Sequence, residues 1–543
     1  MTQPAATRPA DRLLEVVAGA LAATVLLAPL WAFGSFPSQD GPAHVYNARL
    51  LLLMLQGRLP EAQAFYALHL SPFPNWTSHA VMAALCTVLS PDRAERLLLT
   101  AYALGLPLAF RYALGAIRRD ATPLAWLVLP FVYNKWLHEG FYNRDLALLP
   151  FLLALGYHVR RRGRLGARES CVLGACALWT YFSTATSAVV LALTLGLLAV
   201  AFSREDARAA LAGAWRARLP GLLALLPALG LLAAFDLAQQ PRTTGPGPAF
   251  GERALYLGGL YDLVAYDRRE AWIAAAFAVL LGASLVAVLA ARVRARQGSW
   301  PDALLLSAVL LAGLYFAVPQ VTIPGVRSEP QHFRLSLHVL LAAVLWLAAV
   351  VPRRLARVLA GAALATAVAL TLLRMPTYRA LAALVAEQGS LAPGIPRGEV
   401  FLPVSFDYEG LGIARRPIPE EWIVGPLWHA GARVAAARDL VLVDNYEAAT
   451  LHFPLRYRAG ANPQQLLTDP LDDSAGCLRL GRFNRLAPRA VEYLLIYRRE
   501  LAKDDGCTRR TLAYVDRHYE RTARSAGHGF AELYRLRRGQ PAD

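Results

Sequence analysis

Charge is the scarcest property of this 543-residue chain: Asp, Glu, Lys and Arg together make up 17%, against roughly 25% in an ordinary soluble protein. With 56% hydrophobic residues and a positive mean hydropathy, that scarcity excludes a soluble globular enzyme and predicts an α-helical polytopic membrane protein. The five cysteines form no CxxC pair and no zinc spacing, so they point to no cysteine-ligated zinc module. No GK[ST] follows the glycine-rich stretch TTGPGPAFG at 243–251, so it reads as a turn-rich lid and not as a phosphate loop. Internal repeats, low-complexity tracts and long linkers are also missing. The net charge of +17 comes without a basic stripe interleaved with aromatics, so nucleic acid is not the expected partner.

The arginines sit instead in short segments between apolar runs. Runs long enough to span, allowing for tilt, lie at 13–33, 97–117, 121–137, 141–158, 220–238, 272–291, 302–319, 333–351 and 355–373. A longer run, 171–202, is interrupted by YFSTATS and reads as a broken hairpin that crosses twice. Segments such as RRRGRLGAR (160–168), RVRAR (292–296) and PRRLAR (352–357) all fall on one side only if 76–90 does not cross. The count is then about eleven spans, with a cytoplasmic N-terminus held by an uncleaved signal-anchor. A transmembrane domain over 1–373, with a first outside loop at 34–96, would be followed by a soluble extracytoplasmic domain over 374–543.

That tail has strand-like runs at 399–406, 440–444 and 491–497, a final FAELYRLRR at 530–538 and a helical stretch at 507–524, the pattern of an α/β or α+β domain. Cys477 and Cys507 both fall in it, where an oxidising compartment permits a disulfide.

Four clusters carry candidate chemistry. In SFPSQDGPAHVYNARL (35–50), Asp40 precedes a helix start, and Asp40, His44 and Asn47 share one face by their i, i+4, i+7 spacing; Asp40 is either a functional acid or a helix cap. The rim segment NKWLHEGFYNRD offers Lys135, His138, Glu139, Asn143, Arg144 and Asp145, as binding groups or as part of an aromatic belt. VRSEPQHFR offers Arg327, His332 and Arg334, for a phosphate or for lipid headgroups. DNYEAATLHFPLRY offers Asp444, Asn445, Glu447 and His452 on a loop that leans over the membrane cavity or only packs.

A single anchor, a large outside loop opening on an acid at the membrane surface, many further spans and a soluble tail resemble the GT-C superfamily of membrane glycosyltransferases. QDGPAHVYNA, HEGFYN and DNYEAATLHFPLRYR are similar to segments of uncharacterised bacterial multi-pass proteins grouped with it. The resemblance implies a bacterial inner-membrane enzyme that moves a sugar from a polyprenyl-phosphate donor, by inverting displacement, to an extracytoplasmic acceptor of unspecified class. Asp40 is the one position that takes the family's catalytic acid. The family's paired acids are matched only by Gln39-Asp40-Gly41, so no metal ligand is assigned and a divalent metal has no paired acidic motif behind it. The other functions considered are a transporter or flippase of a lipid-linked or anionic solute, and a non-catalytic scaffold of the same fold. Transport would call for related halves and ionisable groups deep in the spans.

Overall fold

The computed structural model describes residues 9–162, 165–206, 218–238, 243–245, 247–322, 332–410, 424–450, 452–468 and 476–537. Its first nine α-helices are α1 (Pro9–Trp31), α2 (Gly41–Leu55), α3 (Thr77–Leu85), α4 (Pro91–Ile117), α5 (Lys135–Glu139), α6 (Tyr142–Leu146), α7 (Leu148–Arg160), α8 (Ala167–Ser183) and α9 (Ala185–Asp206).

Among the described residues, six helices are long and apolar enough to cross a membrane: Pro91–Ile117, Ala185–Glu205, Arg218–Leu237, Arg268–Arg294, Phe333–Val350 and Arg353–Gly394. Val16–Trp31 and Asp302–Ala317 are shorter apolar helices. The chain is therefore a polytopic helical protein. Two expected spans take other forms. Residues 119–131 form a 3-10 segment in place of an α-helical span. The 141–158 run breaks after α6, leaving α7 with 13 residues, well short of the roughly 20 that a bilayer needs. The 171–202 run does divide, at Thr184 in extended conformation between α8 and α9. Over 76–90 only nine residues, those of α3, are α-helical, too few to cross.

The strands are β1 (Tyr66–Leu68), β2 (Thr243–Gly245), β3 (Gln320–Thr322), β4 (Val400–Ser405), β5 (Val441–Leu442), β6 (Leu455–Tyr457), β7 (Tyr493–Tyr497), β8 (Tyr519–Arg524) and β9 (Ala531–Leu536). Five of them form a mixed sheet in the order β5-β4-β7-β9-β8. β7, YLLIY, is buried at every residue, so it reads as a continuous apolar run and lies in mid-sheet. Pro403 is tolerated within β4 because β5 pairs only with Val400 and Phe401; the amide that proline lacks would face beyond the end of β5. The helix expected over 507–524 stops at His518, and Tyr519–Arg524 forms β8 against β9. Pairing with a neighbouring strand overrides local propensity there. Cys477 and Cys507 are joined in a disulfide.

Two features bind the tail to the helices. The Arg353–Gly389 helix runs unbroken through position 374, where a domain boundary was expected. β1, from the first loop, pairs antiparallel with β6, from the tail, with Tyr66 opposite Tyr457. The lid candidate also acquires a partner, since Thr243–Gly245 pairs with Gln320–Thr322.

Candidate functional site

Asp40 occupies the N-cap position of α2, but its side chain makes no capping hydrogen bond. Its carboxylate instead accepts from Tyr446 Oη at 3.1 Å and from Gln39 Nε2 at 3.3 Å. Four and seven residues on, the same face continues. His44 Nδ1 lies 2.5 Å from Glu447 Oε1, and Asn47 exchanges two side-chain hydrogen bonds with Asn445, at 3.0 and 2.9 Å. The 40/44/47 stripe thus docks, residue by residue, on Asn445, Tyr446 and Glu447 of the tail. Arg433 adds a clamp, with Nη1 2.7 Å from Glu95 Oε2 and 2.8 Å from Asp92 Oδ1. Glu95 Oε1 accepts from Tyr142 Oη at 2.7 Å.

The chain folds tightly over this acid. Gln39 N donates to His138 O at 2.8 Å and Asp40 N to Glu139 O at 3.0 Å. Gly140 follows with φ +92°, and a Cβ there would lie 2.6 Å from Gly41 N and 2.8 Å from Asp40 N. Those are backbone atoms that no rotamer change can move aside. Gly140→Ala is expected to destabilise the protein by at least about 2 kcal/mol, read as a lowered unfolding temperature in detergent. Gly34→Ala, with nothing within 4 Å of the added methyl, serves as the control and changes stability by less than about 0.5 kcal/mol.

Burial dominates the electrostatics. It pushes the Asp40 carboxyl up to about 7, with His44 opposing. For His44, burial disfavours the cation, but the Glu447 carboxylate outweighs it and the net shift is upward. Burial likewise acts to raise Glu447, yet His44 and His79 bring it down to about 2. His429 is pushed by burial down to about 4, so at neutral pH it is an uncharged neighbour of Asp40, 3.7 Å away.

Beside this junction opens a cavity of about 570 Å³. One part of its wall is apolar and comes from helices able to cross a membrane or from the shorter Asp302–Ala317 helix, including Val190, Leu193, Leu232 and Leu311. The other part is polar and includes His44, Asn143, Arg144, Arg334, Tyr446 and His452. Arg144 is 6% exposed. Its Nη2 donates to Phe333 O at 3.2 Å and its guanidinium lies over Trp136, 4.7 Å from the ring centroid. Its Nε and Nη1 meet no acceptor among the described residues. Asp40 itself is not part of the cavity wall and is 8% exposed; Tyr446, which donates to it, belongs to both.

The remaining candidates separate clearly. Asn143 faces the cavity while Oδ1 accepts from Ser78 N and Nδ2 donates to Asn75 O. Lys135 and Glu139 form an i, i+4 ion pair at 3.1 Å, with Lys135 over the rings of Trp136 and Tyr256. His138 is held between Asn134 O and Tyr378 Oη, each at 2.7 Å, and Asp145 accepts from Asn134 at 2.9 Å; both are fully buried packing groups. His332 is buried against Phe333 and Tyr315. Arg327 lies outside the described residues.

Sequence reasoning missed Tyr446, which donates to Asp40, and His79, on α3; His79 joins the site through Glu447. Its Nε2 lies 2.8 Å from Glu447 Oε2. With His44 it completes a group of three buried ligand atoms, all within 4.8 Å of one another. The three residues come from three separate segments, so no spacing motif could announce them. In the comparisons with known proteins, no family model matches the chain and no curated protein matches it.

Proposed function

We propose that the chain is a membrane glycosyltransferase that uses a polyprenyl-phosphate sugar and acts on the extracytoplasmic side. The observation that carries this reading is the two-part cavity: apolar walls suited to an isoprenoid chain meet a buried arginine with two uncommitted donors. A phosphate presented there pairs with the Arg144 guanidinium once the side chain turns one of its uncommitted donors, Nε or Nη1, into the cavity, with Arg334 on the same wall. As the sugar leaves the phosphate, these cations hold the developing negative charge. The acceptor hydroxyl gives its proton to Tyr446 Oη as Tyr446 passes its own to Asp40 Oδ2. Asp40 is then a base one hydrogen bond removed from the cavity. The Cys477–Cys507 disulfide supports an outside tail, because such bonds persist in oxidising compartments.

A binding-only scaffold is the second reading, favoured by one observation: Asp40 lies beneath Tyr446 and His429 with its side chain 11% exposed. In that case the cavity holds a lipid phosphate without chemistry.

Both readings require the lipid site. Arg144→Ala is expected to weaken polyprenyl-phosphate binding by about 10- to 100-fold, the worth of one or two charge-assisted bonds. Arg144→Lys restores only part of it, since the fork geometry is lost. The measurement is lipid retention in detergent, with the uncharged polyprenol as control. Equal phosphate-lipid binding by the wild type and Arg144→Ala would remove the cavity as the donor site. Transfer itself separates enzyme from scaffold.

A further inference from the structure

We infer that His44, His79 and Glu447 bind a divalent transition metal ion of the zinc class. This rests on the geometry of the cluster and not on the transferase reading. The side chains of His79 and Glu447 are fully buried and that of His44 is 5% exposed. His44 and His79 meet edge to face, with ring centroids 5.1 Å apart, and both direct a ring nitrogen at the one carboxylate.

The hydrogen bonds around His79 determine what lies between ring and carboxylate. His79 Nδ1 is 3.2 Å from Asn75 O and 3.3 Å from Ser78 Oγ; the carbonyl oxygen, the shorter contact, only accepts, and pairing it places the hydrogen on Nδ1. In the neutral ring, Nε2 then presents a lone pair toward Glu447 Oε2 at 2.8 Å. Two acceptors face each other, an arrangement that needs a cation between them. Anchoring of the distal nitrogen on a backbone carbonyl is also how metal-bound histidines are normally oriented.

Two protons can supply that charge, making both rings imidazolium around one carboxylate, but this buries two desolvated cations against one anion. A single divalent ion does the same with both rings neutral. Bonds of about 2.0–2.2 Å to nitrogen and oxygen place tetrahedral ligand atoms roughly 3.3 Å apart. The donors lie 2.5 and 2.8 Å apart across the two His–Glu contacts, so a small outward shift admits the ion. Two imidazoles and one carboxylate suit Zn²⁺ or Co²⁺, whereas Mg²⁺ and Ca²⁺ favour oxygen ligands. Three protein ligands leave one position open, and of the three residues His44 also forms part of the cavity wall.

The test uses the full chain in detergent, stripped with a chelator and titrated with Zn²⁺ alone by calorimetry, with elemental analysis of the dialysed product. One equivalent per chain is expected, together with a raised unfolding temperature, visible Co²⁺ absorption and no comparable response to Mg²⁺. His79→Ala and Glu447→Gln are expected to lower Zn²⁺ affinity by at least about 100-fold, since losing even an outer-shell partner costs 10- to 100-fold. His452→Ala, on the cavity wall but outside the cluster, retains the metal and reports that the fold survives handling. Failure of the folded wild type to bind Zn²⁺ stoichiometrically, or equal binding by His79→Ala, overturns the inference and leaves the cluster as an ion-pair clamp. Neither outcome depends on a donor sugar, so the transferase proposal stands or falls separately.

Discussion

Asp40→Asn is expected to abolish sugar transfer, by about 10²- to 10⁴-fold, the usual contribution of a positioned base, while the protein folds and gains stability at alkaline pH. Asparagine can still accept from Tyr446 Oη, so the docking of α2 on the tail persists. The gain follows from linkage. Burial raises the Asp40 carboxyl from 3.8 to about 7, so the folded state favours the protonated form. Relative to a neutral residue, the wild type loses stability as pH rises through the window from about 4 to 7, and the loss is complete above 7. It amounts to roughly 4 kcal/mol at most, three pH units of differential protonation. Unfolding temperatures of both proteins at pH 5 and pH 8 measure it: the variant's advantage appears at pH 8 and shrinks at pH 5. Wild-type transfer should rise with pH to a plateau above about 7, because only the carboxylate accepts a proton. Tyr446→Phe, which removes the hydroxyl between the cavity and Asp40, should show a fall of similar size. Undiminished transfer by Asp40→Asn would refute the base assignment; absence of transfer from the wild type with intact lipid binding would favour the scaffold.

Glu270→Gln is expected to be the most destabilising single change outside the site, at about 3–5 kcal/mol. Glu270 Oε2 accepts from Arg374 Nη2 at 2.7 Å and Nε at 3.0 Å, and Arg374 Nη1 donates to Tyr133 O at 2.7 Å. The same carboxylate accepts from the amides of Ala265, Tyr266 and Asp267. Both side chains are essentially inaccessible to solvent, at 1% and 2% exposure. Removing one charge strands the other in a medium that solvates it poorly. A double-mutant cycle separates pairing from packing: Arg374→Met alone should cost a similar amount, and the double variant should cost less than the sum of the two. Additive costs would show that the two charges are not coupled.

This pair also shows where reading along the chain stops. Position 374 looks like the end of the helical region because an arginine closes an apolar run, and only the arrival of Glu270 from 104 residues away turns it into an interior position. The 507–524 stretch gives a similar lesson: it is helical by local preference, but its last third is taken by β9 as a strand partner.

At the site, periodicity alone was enough to place Asp40, His44 and Asn47 on one face, because helical spacing is a local property of the backbone. Low charge and long apolar runs likewise sufficed for a polytopic helical chain. What that face meets was not legible. Asn445, Tyr446 and Glu447 lie about 400 residues further along, and His79 comes from a short helix with no distinguishing pattern. Separating Arg144 and Arg334, at the cavity, from His138 and Asp145, in the packed interior, also required the fold. Composition records that a polar group exists; whether it lines a cavity or is sealed against a partner depends on which distant segments fold over it.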